Sequence, residues 1–283
     1  MLDVFLDALL DSLKVFGIAF LIYFILSFVH DKITSIFQKH KKISPILGAS
    51  CGLIPECGIS ILGADMYQKK QITLGTVLAI FFACSDEALF ILFSDATKLI
   101  YVIPLLLIKF GFACLLGYFM DCIYKEKIAV VEEELKLDCC DHHHKGEEKK
   151  IEKHLLHPLF HCLKIFLYVF IVNFFFGGLI YFIGDETMIQ FLQQNKWLAP
   201  IFSGLVGLIP NCSASVLMSE LFLMNGLSFG ALVTGLSVNA GLGVLYLFRF
   251  KETRKKAIGM IFILYGYALV IGYSIFGIME MIG

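Results

Sequence analysis

Charge is scarce in this chain. Asp, Glu, Lys and Arg make up 17% of its 283 residues, while the hydrophobic share is 58% and the mean hydropathy is +0.82. A soluble domain carries about 25% charged residues, so most of this chain is read as lying in lipid. The net charge of −1 says nothing about partners, and no basic stripe suggests nucleic acid. No Gly-x4-Gly-Lys-Ser/Thr phosphate loop occurs, which argues against ATP drive within the chain. No His-Glu-x2-His or Gly-x-Ser-x-Gly motif points to a hydrolase. The expectation is a transporter rather than an enzyme, with no tightly bound cofactor. The N-terminal stretch (Met1, Leu2, Asp3, then Asp7 and Asp11) lacks the basic region and small-residue cleavage site of a signal peptide. The first span is therefore expected to stay as an anchor. Nine cysteines is an odd number, and at least six lie in or beside apolar spans. Reduced cysteines, used for packing or soft-metal ligation, fit better than a disulfide framework.

What is present is a repeat. Gly52-Leu53-Ile54-Pro55-Glu56-Cys57-Gly58-Ile59-Ser60 returns as Gly207-Leu208-Ile209-Pro210-Asn211-Cys212-Ser213-Ala214-Ser215, at an offset of 155 residues (212 − 57). At the same offset Pro45 meets Pro200, Gly75 meets Gly230, Gly117 meets Gly272 and Tyr118 meets Tyr273. Apolar stretches long enough to span about 30 Å of hydrocarbon occur near 13–29, 73–93, 99–121, 159–183, 228–248 and 257–278. Repeated units in a membrane chain point to a secondary transporter with its site where the copies meet. The expected domains are a first transmembrane repeat at 1–122, a linker at 123–156 and a second, inverted repeat at 157–283.

Loop charge suggests the inversion. Lys32, Lys39, Lys41 and Lys42 follow the first span, whereas the equivalent loop with Asp185 and Glu186 is acidic or neutral. Lys69 and Lys70 face an uncharged Asn225-Gly226, and the nearly neutral 94–98 turn faces the basic 249–256 cluster. The positive-inside rule puts such equivalent loops on opposite sides. That needs an odd number of crossings per copy. Three transmembrane helices plus one Pro-broken re-entrant hairpin satisfy it, with the hairpins at about 45–66 and 200–221. The fold class is an all-α integral membrane protein, an inverted-repeat transporter with six spans and two hairpins. Both termini are expected outside and the linker in the cytoplasm, in a multi-pass inner-membrane protein. Two full spans in place of hairpins would give a parallel repeat, at the cost of exporting Lys69 and Lys70 or the 249–256 cluster.

The candidate site residues come from both copies. Pro55 and Pro210 suit the first turn of half-helices, where a missing N–H costs nothing. Cys57 and Cys212 then sit where helix N-termini lower a thiol pKa, with Ser60 and Ser215 three residues on. These small residues could instead simply allow close helix contact. Ser85, Asp86 and Glu87 fall near the middle of a span, and their partners are the uncharged Ala240, Gly241 and Leu242, after Asn239. Glu56 pairs with Asn211. Each ionised group at mid-membrane costs about 2.5–3.5 kcal/mol, so three carboxylates must face the interior and meet a cation, a proton or Lys109. Lys109, replaced by Leu264 in the second copy, could pair with Asp86 or Glu87 and hold helices in register. Asn211, Asn239, Ser85 and Ser213 add neutral oxygens. Carboxylates suit Mn²⁺-like ions, and thiolates suit Zn²⁺, Cd²⁺ or arsenite. Asp65 and Glu220, equivalent residues near hairpin ends, read as interfacial residues or gates. Cys139, Cys140, His142, His143 and His144 in the linker are metal-binding by composition but lack zinc-site spacing, so a solvated polar tract reads as well.

At the paired Pro-x-Cys elements, the Cys84–Phe90 segment and the His-containing central loop, the chain resembles a bacterial and archaeal heavy-metal/arsenic efflux membrane protein family. Some of its members are described as manganese transporters. The resemblance covers nearly the whole chain and implies metal or metalloid export through ten segments. Ten is also the count of six spans plus four half-spans. The resulting expectation is a secondary-active exporter of a heavy-metal ion, Mn²⁺-like or another divalent transition metal, coupled to protons. Its partners are the metal or metalloid ion and the bilayer, with room for a homo-oligomer. Alternatives are an arsenite or organoarsenical permease using the paired cysteines, an anion or sulfur-compound carrier using Lys109, and a membrane thiol-redox protein.

Overall fold

The computed structural model describes residues 5, 6, 9, 10, 13, 16, 37, 41–54, 57–85, 88–94, 98–125, 163, 166, 167, 170, 171, 174, 178, 194–209 and 212–282. The chain divides into two units, one of Met1–Ile36 with Ala129–Phe182 and one of Phe37–Ile128 with Ile183–Gly283. In the first unit the described residues are helical. Phe5 meets Phe170 edge-on with centroids 5.4 Å apart, and Phe16 meets Phe166 at 5.9 Å. Most of the expected spans 13–29 and 159–183 lie outside the described residues, as does the linker beyond Lys125.

Ten α-helices make up the described part of the second unit. From the first copy come α1 (Ser44–Gly52), α2 (Cys57–Gln68), α3 (Leu74–Ala83), α4 (Ala88–Ser94) and α5 (Val102–Ile123). From the second come α6 (Ala199–Gly207), α7 (Cys212–Leu223), α8 (Phe229–Val238), α9 (Leu242–Phe248) and α10 (Lys251–Ile282). No strand occurs among the described residues. The bounds of α1 and α6, α2 and α7, and α3 and α8 differ by 155 at both ends (199 − 44, for the first pair).

The equivalence extends to the chemistry of helix ends. Thr73 and Ser228 are N-caps of α3 and α8, each side-chain oxygen accepting from a backbone N–H three residues on. α2 and α7 both close in a left-handed residue, Lys70 and Asn225, each with φ 57°. In each, the next N–H bonds back to the helix: Gln71 to the Met66 carbonyl at 2.8 Å and Gly226 to Leu221 at 2.8 Å. That is the Schellman closure, which satisfies orphan carbonyls. Tyr118 donates to the Lys42 carbonyl (3.1 Å) and its equivalent Tyr273 to the Trp197 carbonyl (2.7 Å).

Burial separates centre from periphery. Every residue of α3 and of α8 is buried. A helix apolar on all faces belongs inside protein. α5 buries one face (Leu105, Lys109, Ala113, Leu116, Met120) and exposes Ile103, Leu107, Leu115 and Phe119. Exposed large apolar side chains at helical spacing suit contact with lipid. Three described segments are long and apolar enough to cross a membrane: Leu99–Ile123, Phe229–Phe248 and Lys251–Met281. They correspond to the expected spans at 99–121, 228–248 and 257–278. The expected spans 73–93 and 228–248 are each two helices rather than one, α3 with α4 and α8 with α9.

The copies embrace reciprocally. α2 packs on α9, and the equivalent α7 packs on α4. α3 meets its own equivalent α8. Tyr267 of α10 donates to the carbonyl of Phe112, the residue equivalent to itself, at 3.1 Å. Both are contacts between equivalent elements of the two copies.

Within each copy, glycine permits backbone contact between a central and a peripheral helix. A Cβ on Gly75 would strike the Gly117 carbonyl, and one on Gly230 the equivalent Gly272 carbonyl. In the first copy, Asp121 of α5 also accepts from the Gly75 N–H and the Thr73 hydroxyl, both at 2.9 Å. We expect Gly75→Ala and Gly230→Ala each to lower stability by about 1–3 kcal/mol. Gly111→Ala, where an added Cβ meets nothing within 4 Å, should be neutral or mildly stabilising. Thermal unfolding in detergent measures all three, and equal behaviour would sink the packing assignment.

Candidate functional site

Two chain breaks lie at equivalent places in the buried centre. α3 ends because Cys84 turns extended, with φ −55° and ψ 129°. α8 ends because Asn239 does, with φ −71° and ψ 90°. The local sequence explains both. Ser and Asn side chains compete with the helix for backbone groups. Ser85 donates to the Ala83 carbonyl (3.3 Å), and the Asn239 side-chain oxygen accepts from the Gly241 N–H (3.1 Å). Gly241 has φ 59° and ψ −154°, a region that essentially only glycine occupies. Cys84, Ser85, Asn239 and Ala240 are all buried.

A helix end leaves carbonyls without intrahelical partners. At apolar depth each must find another donor. Lys109 supplies it. The side chain is fully buried, and its ammonium donates to the Cys84 carbonyl and, at 2.8 Å, to the Leu236 carbonyl. One group thus meets the C-terminal ends of both α3 and α8, where helix dipoles favour positive charge. The equivalent Leu264 is just as buried and carries no charge.

A second bridge joins α2 to α9. The Ser60 hydroxyl, fully buried, accepts from the Gly243 N–H at 3.2 Å. A Cβ on Gly243 would strike the Ser60 carbonyl and sit against the Phe81 ring. The equivalent of Gly243 on α4 is Ala88. Further along α2, Asp65 accepts from the Tyr246 hydroxyl (2.7 Å) and pairs with Lys69 (2.8 Å). Its equivalent Glu220 is exposed, so the two acids have different surroundings.

The sequence-predicted residues divide as follows. Ser60, Ser85, Lys109, Ser215 and Asn239 are buried in the second unit. Ser85 and Asn239 stand at the two breaks, with the Lys109 ammonium on the carbonyl next to Ser85. The Ser215 carbonyl accepts from Ser219 at 2.9 Å. Cys57 and Cys212 are the first residues of α2 and α7, with Ser213 second, and their side chains lie outside the description. Pro55, Glu56, Asp86, Glu87, Pro210, Asn211 and the linker residues Cys139, Cys140, His142, His143 and His144 lie outside the described residues. Among the described residues no three of His, Cys, Asp and Glu cluster in a way that could hold a metal. Cys51, Cys84, Cys114 and Cys122 take part in no disulfide.

Sequence reasoning missed Ser237. It is fully buried in α8, and its hydroxyl has no partner among the described residues. The available signal was a hydroxyl in an apolar helix where the first copy has Phe82. The carbonyls of Cys84 and Leu236 had no sequence signal at all, because every residue has one.

Residues 1–176 match the model of a family described as "Putative, 10TM heavy-metal exporter". That is more than half of the 283 residues. The chain belongs to this heavy-metal exporter family. The match spans the expected first repeat, the expected linker and the start of the expected second repeat. A multi-pass membrane transporter follows from it and from the apolar helices. Comparison with curated proteins gave no match, and comparison with solved structures gave none.

Ser60 and Ser237 can be told apart experimentally. Ser60→Ala leaves a buried N–H without its acceptor, a loss of about 1–3 kcal/mol. Ser237→Ala removes a hydroxyl with no described partner, so stability should stay within about 0.5 kcal/mol. If the hydroxyl faces transported cargo, flux through Ser237→Ala should fall while its melting temperature holds. Parental flux and stability together would remove Ser237 from the site.

Proposed function

We propose that the chain is a secondary-active exporter of a divalent heavy-metal ion, Mn²⁺-like or another transition metal, exchanged for protons at a central site between inverted copies. The observation that carries this is the pair of equivalent breaks in α3 and α8 at the buried centre, bridged by Lys109. Broken helices at a repeat interface are how transporters present a binding site. In sequence, Asp86 and Glu87 belong to the first break. Glu56, Cys57, Asn211, Cys212 and Ser213 belong to the breaks between α1 and α2 and between α6 and α7. Thiols from both copies and acids from one would give a net negative, mixed ligand set suited to a divalent metal. The same acids could exchange protons for it.

Direction supports the inversion. α5 runs from Tyr101, past Lys109 at the breaks, to Asp121 at the start of α3. α2 ends next to the start of α3, on the Asp121 side. Its equivalent α7 ends on the Tyr101 side, where Phe222 meets the Tyr101 ring at 5.4 Å and Asn225 accepts from Lys98 at 2.7 Å. Equivalent helices thus point to opposite ends. Length supports re-entrant hairpins. α1 has nine residues and α2 has 12, or roughly 14 and 18 Å, against about 30 Å of hydrocarbon. Charge supports the orientation. Lys69 and Lys70 follow α2 on the Asp121 side, and Lys256 reaches the Tyr67 hydroxyl there (3.2 Å). The positive-inside rule makes that side cytoplasmic, with the linker after α5 on it.

Two measurements test this reading. Elemental content (Mn, Fe, Co, Zn, Cd, As) is compared between cells expressing the parent and cells expressing Asp86→Asn. Selective depletion of one divalent metal by the parent alone is expected. Arsenic depletion by both proteins would favour a thiol-based arsenite or organoarsenical permease. No change in any element would favour the anion carrier or the thiol-redox protein. For the inversion, Lys70→Cys should react with an impermeant thiol reagent only from the cytoplasmic side, and Met224→Cys only from outside. Labelling of both from one side would mean a parallel repeat.

A further inference from the structure

The place held by the Lys109 ammonium has the make-up of a cation site. Among the described residues the ammonium donates to two main-chain carbonyls, those of Cys84, just past α3, and of Leu236 on α8. The Cys84 carbonyl lies just past the last residue of α3, and the Leu236 carbonyl lies in the last turn of α8. The Leu236 carbonyl thus carries the partial negative charge of a helix C-terminus, and the Cys84 carbonyl, turned out of the helix by its ψ of 129°, lies beside another. They come from different copies, so whatever binds them clamps the copies together at the breaks. Cys84 and Lys109 are almost fully buried, beside Leu236, Leu105 and Ala113, so bulk water does not replace the donor. In transporters with broken helices, half-helix C-termini and unwound carbonyls are the groups that hold a free coupling cation. Here a side chain delivers the charge instead. The equivalent helix position in the second copy, Leu264, delivers none.

We infer that Lys109 is a tethered substitute for a small alkali cation, filling a latent site between the broken helices α3 and α8 and making the protein independent of Na⁺. A tethered ammonium does not dissociate, so the clamp is occupied at any external salt composition. A free ion would fill it only where its concentration exceeds its dissociation constant. The inference refines the proposed transport reading by removing Na⁺ as a coupling ion, yet the site can be tested without any transported metal.

Lys109→Ala shortens the side chain to Cβ, leaving both carbonyls and room for an ion with water. Lys109→Leu installs the second copy's residue and fills the space with apolar atoms. Thermal unfolding of detergent-solubilised protein is followed in LiCl, NaCl, KCl and choline chloride at equal ionic strength. The parent should unfold at one temperature in all four. In choline, Lys109→Ala should unfold at least about 5 °C lower. It should regain stability, in a saturable concentration-dependent way, with at least one alkali ion. Lys109→Leu should be lowered and show no difference among the salts. A Lys109→Ala protein that no alkali ion stabilises beyond choline would overturn the inference, as would a parent stabilised by the same ion to the same extent. If Lys109→Ala is not recovered folded in choline, its membranes are solubilised in each alkali chloride. Folded protein recovered only with an alkali ion supports the site, and none recovered in any salt overturns it. Because the readout is unfolding, it succeeds or fails separately from the metal-export measurement.

Discussion

The satisfaction of backbone carbonyls at the two broken helices is the constraint around which the described structure is arranged. In lipid, an unpaired carbonyl has no water to turn to. α3 and α8 nevertheless stop in the buried centre, at equivalent residues. The structure answers with Lys109, whose ammonium donates to carbonyls at both helix ends. Each feature would be costly alone. The lysine needs helix ends that carry negative potential, and the helix ends need a donor that water cannot supply. Around this pair, side-chain oxygens of Ser85 and Asn239 close the remaining turns.

The scaffold is nearly symmetric, and the chemistry placed on it is not. The bounds of three helix pairs, the N-caps, Schellman closures, tyrosine-to-carbonyl bonds and glycine contacts repeat at one offset. Against that background several of the differences between the copies stand out. Lys109 is equivalent to Leu264, Asp121 to Phe276, Gly243 to Ala88 and Ser237 to Phe82. Charge at the centre therefore comes from the first copy. The hydroxyl of Ser237 and the close approach at Gly243 come from the second.

Legibility in the sequence followed the kind of interaction. Long apolar stretches at 99–121 and 257–278 correspond to span-length helices in the structure, because hydrophobic length is a local property. The 155-residue offset reappears in the helix bounds for the same reason. The breaks in 73–93 and 228–248 were less legible. Both runs are apolar enough to read as continuous, and only Ser85, Asn239 and Gly241 mark the interruption. Lys109 was visible as an isolated charge in a span. Its acceptors were not, since carbonyls of Cys84 and Leu236 look like any others until α5 is packed against both helices. Asp121, which caps α3 from 46 residues away through Gly75, read only as the last residue of the 99–121 span.

The sequence by itself determined the repeat, the membrane setting and the residue types available at the centre, because periodicity, hydrophobicity and unusual charge are written in single positions and their spacing. Only the tertiary structure decided which helices exchange between copies, that α3 and α8 end side by side, and that one ammonium serves both. Those are facts of long-range approach, set by glycine clearances and by where orphaned carbonyls happen to converge, and no single position carries them.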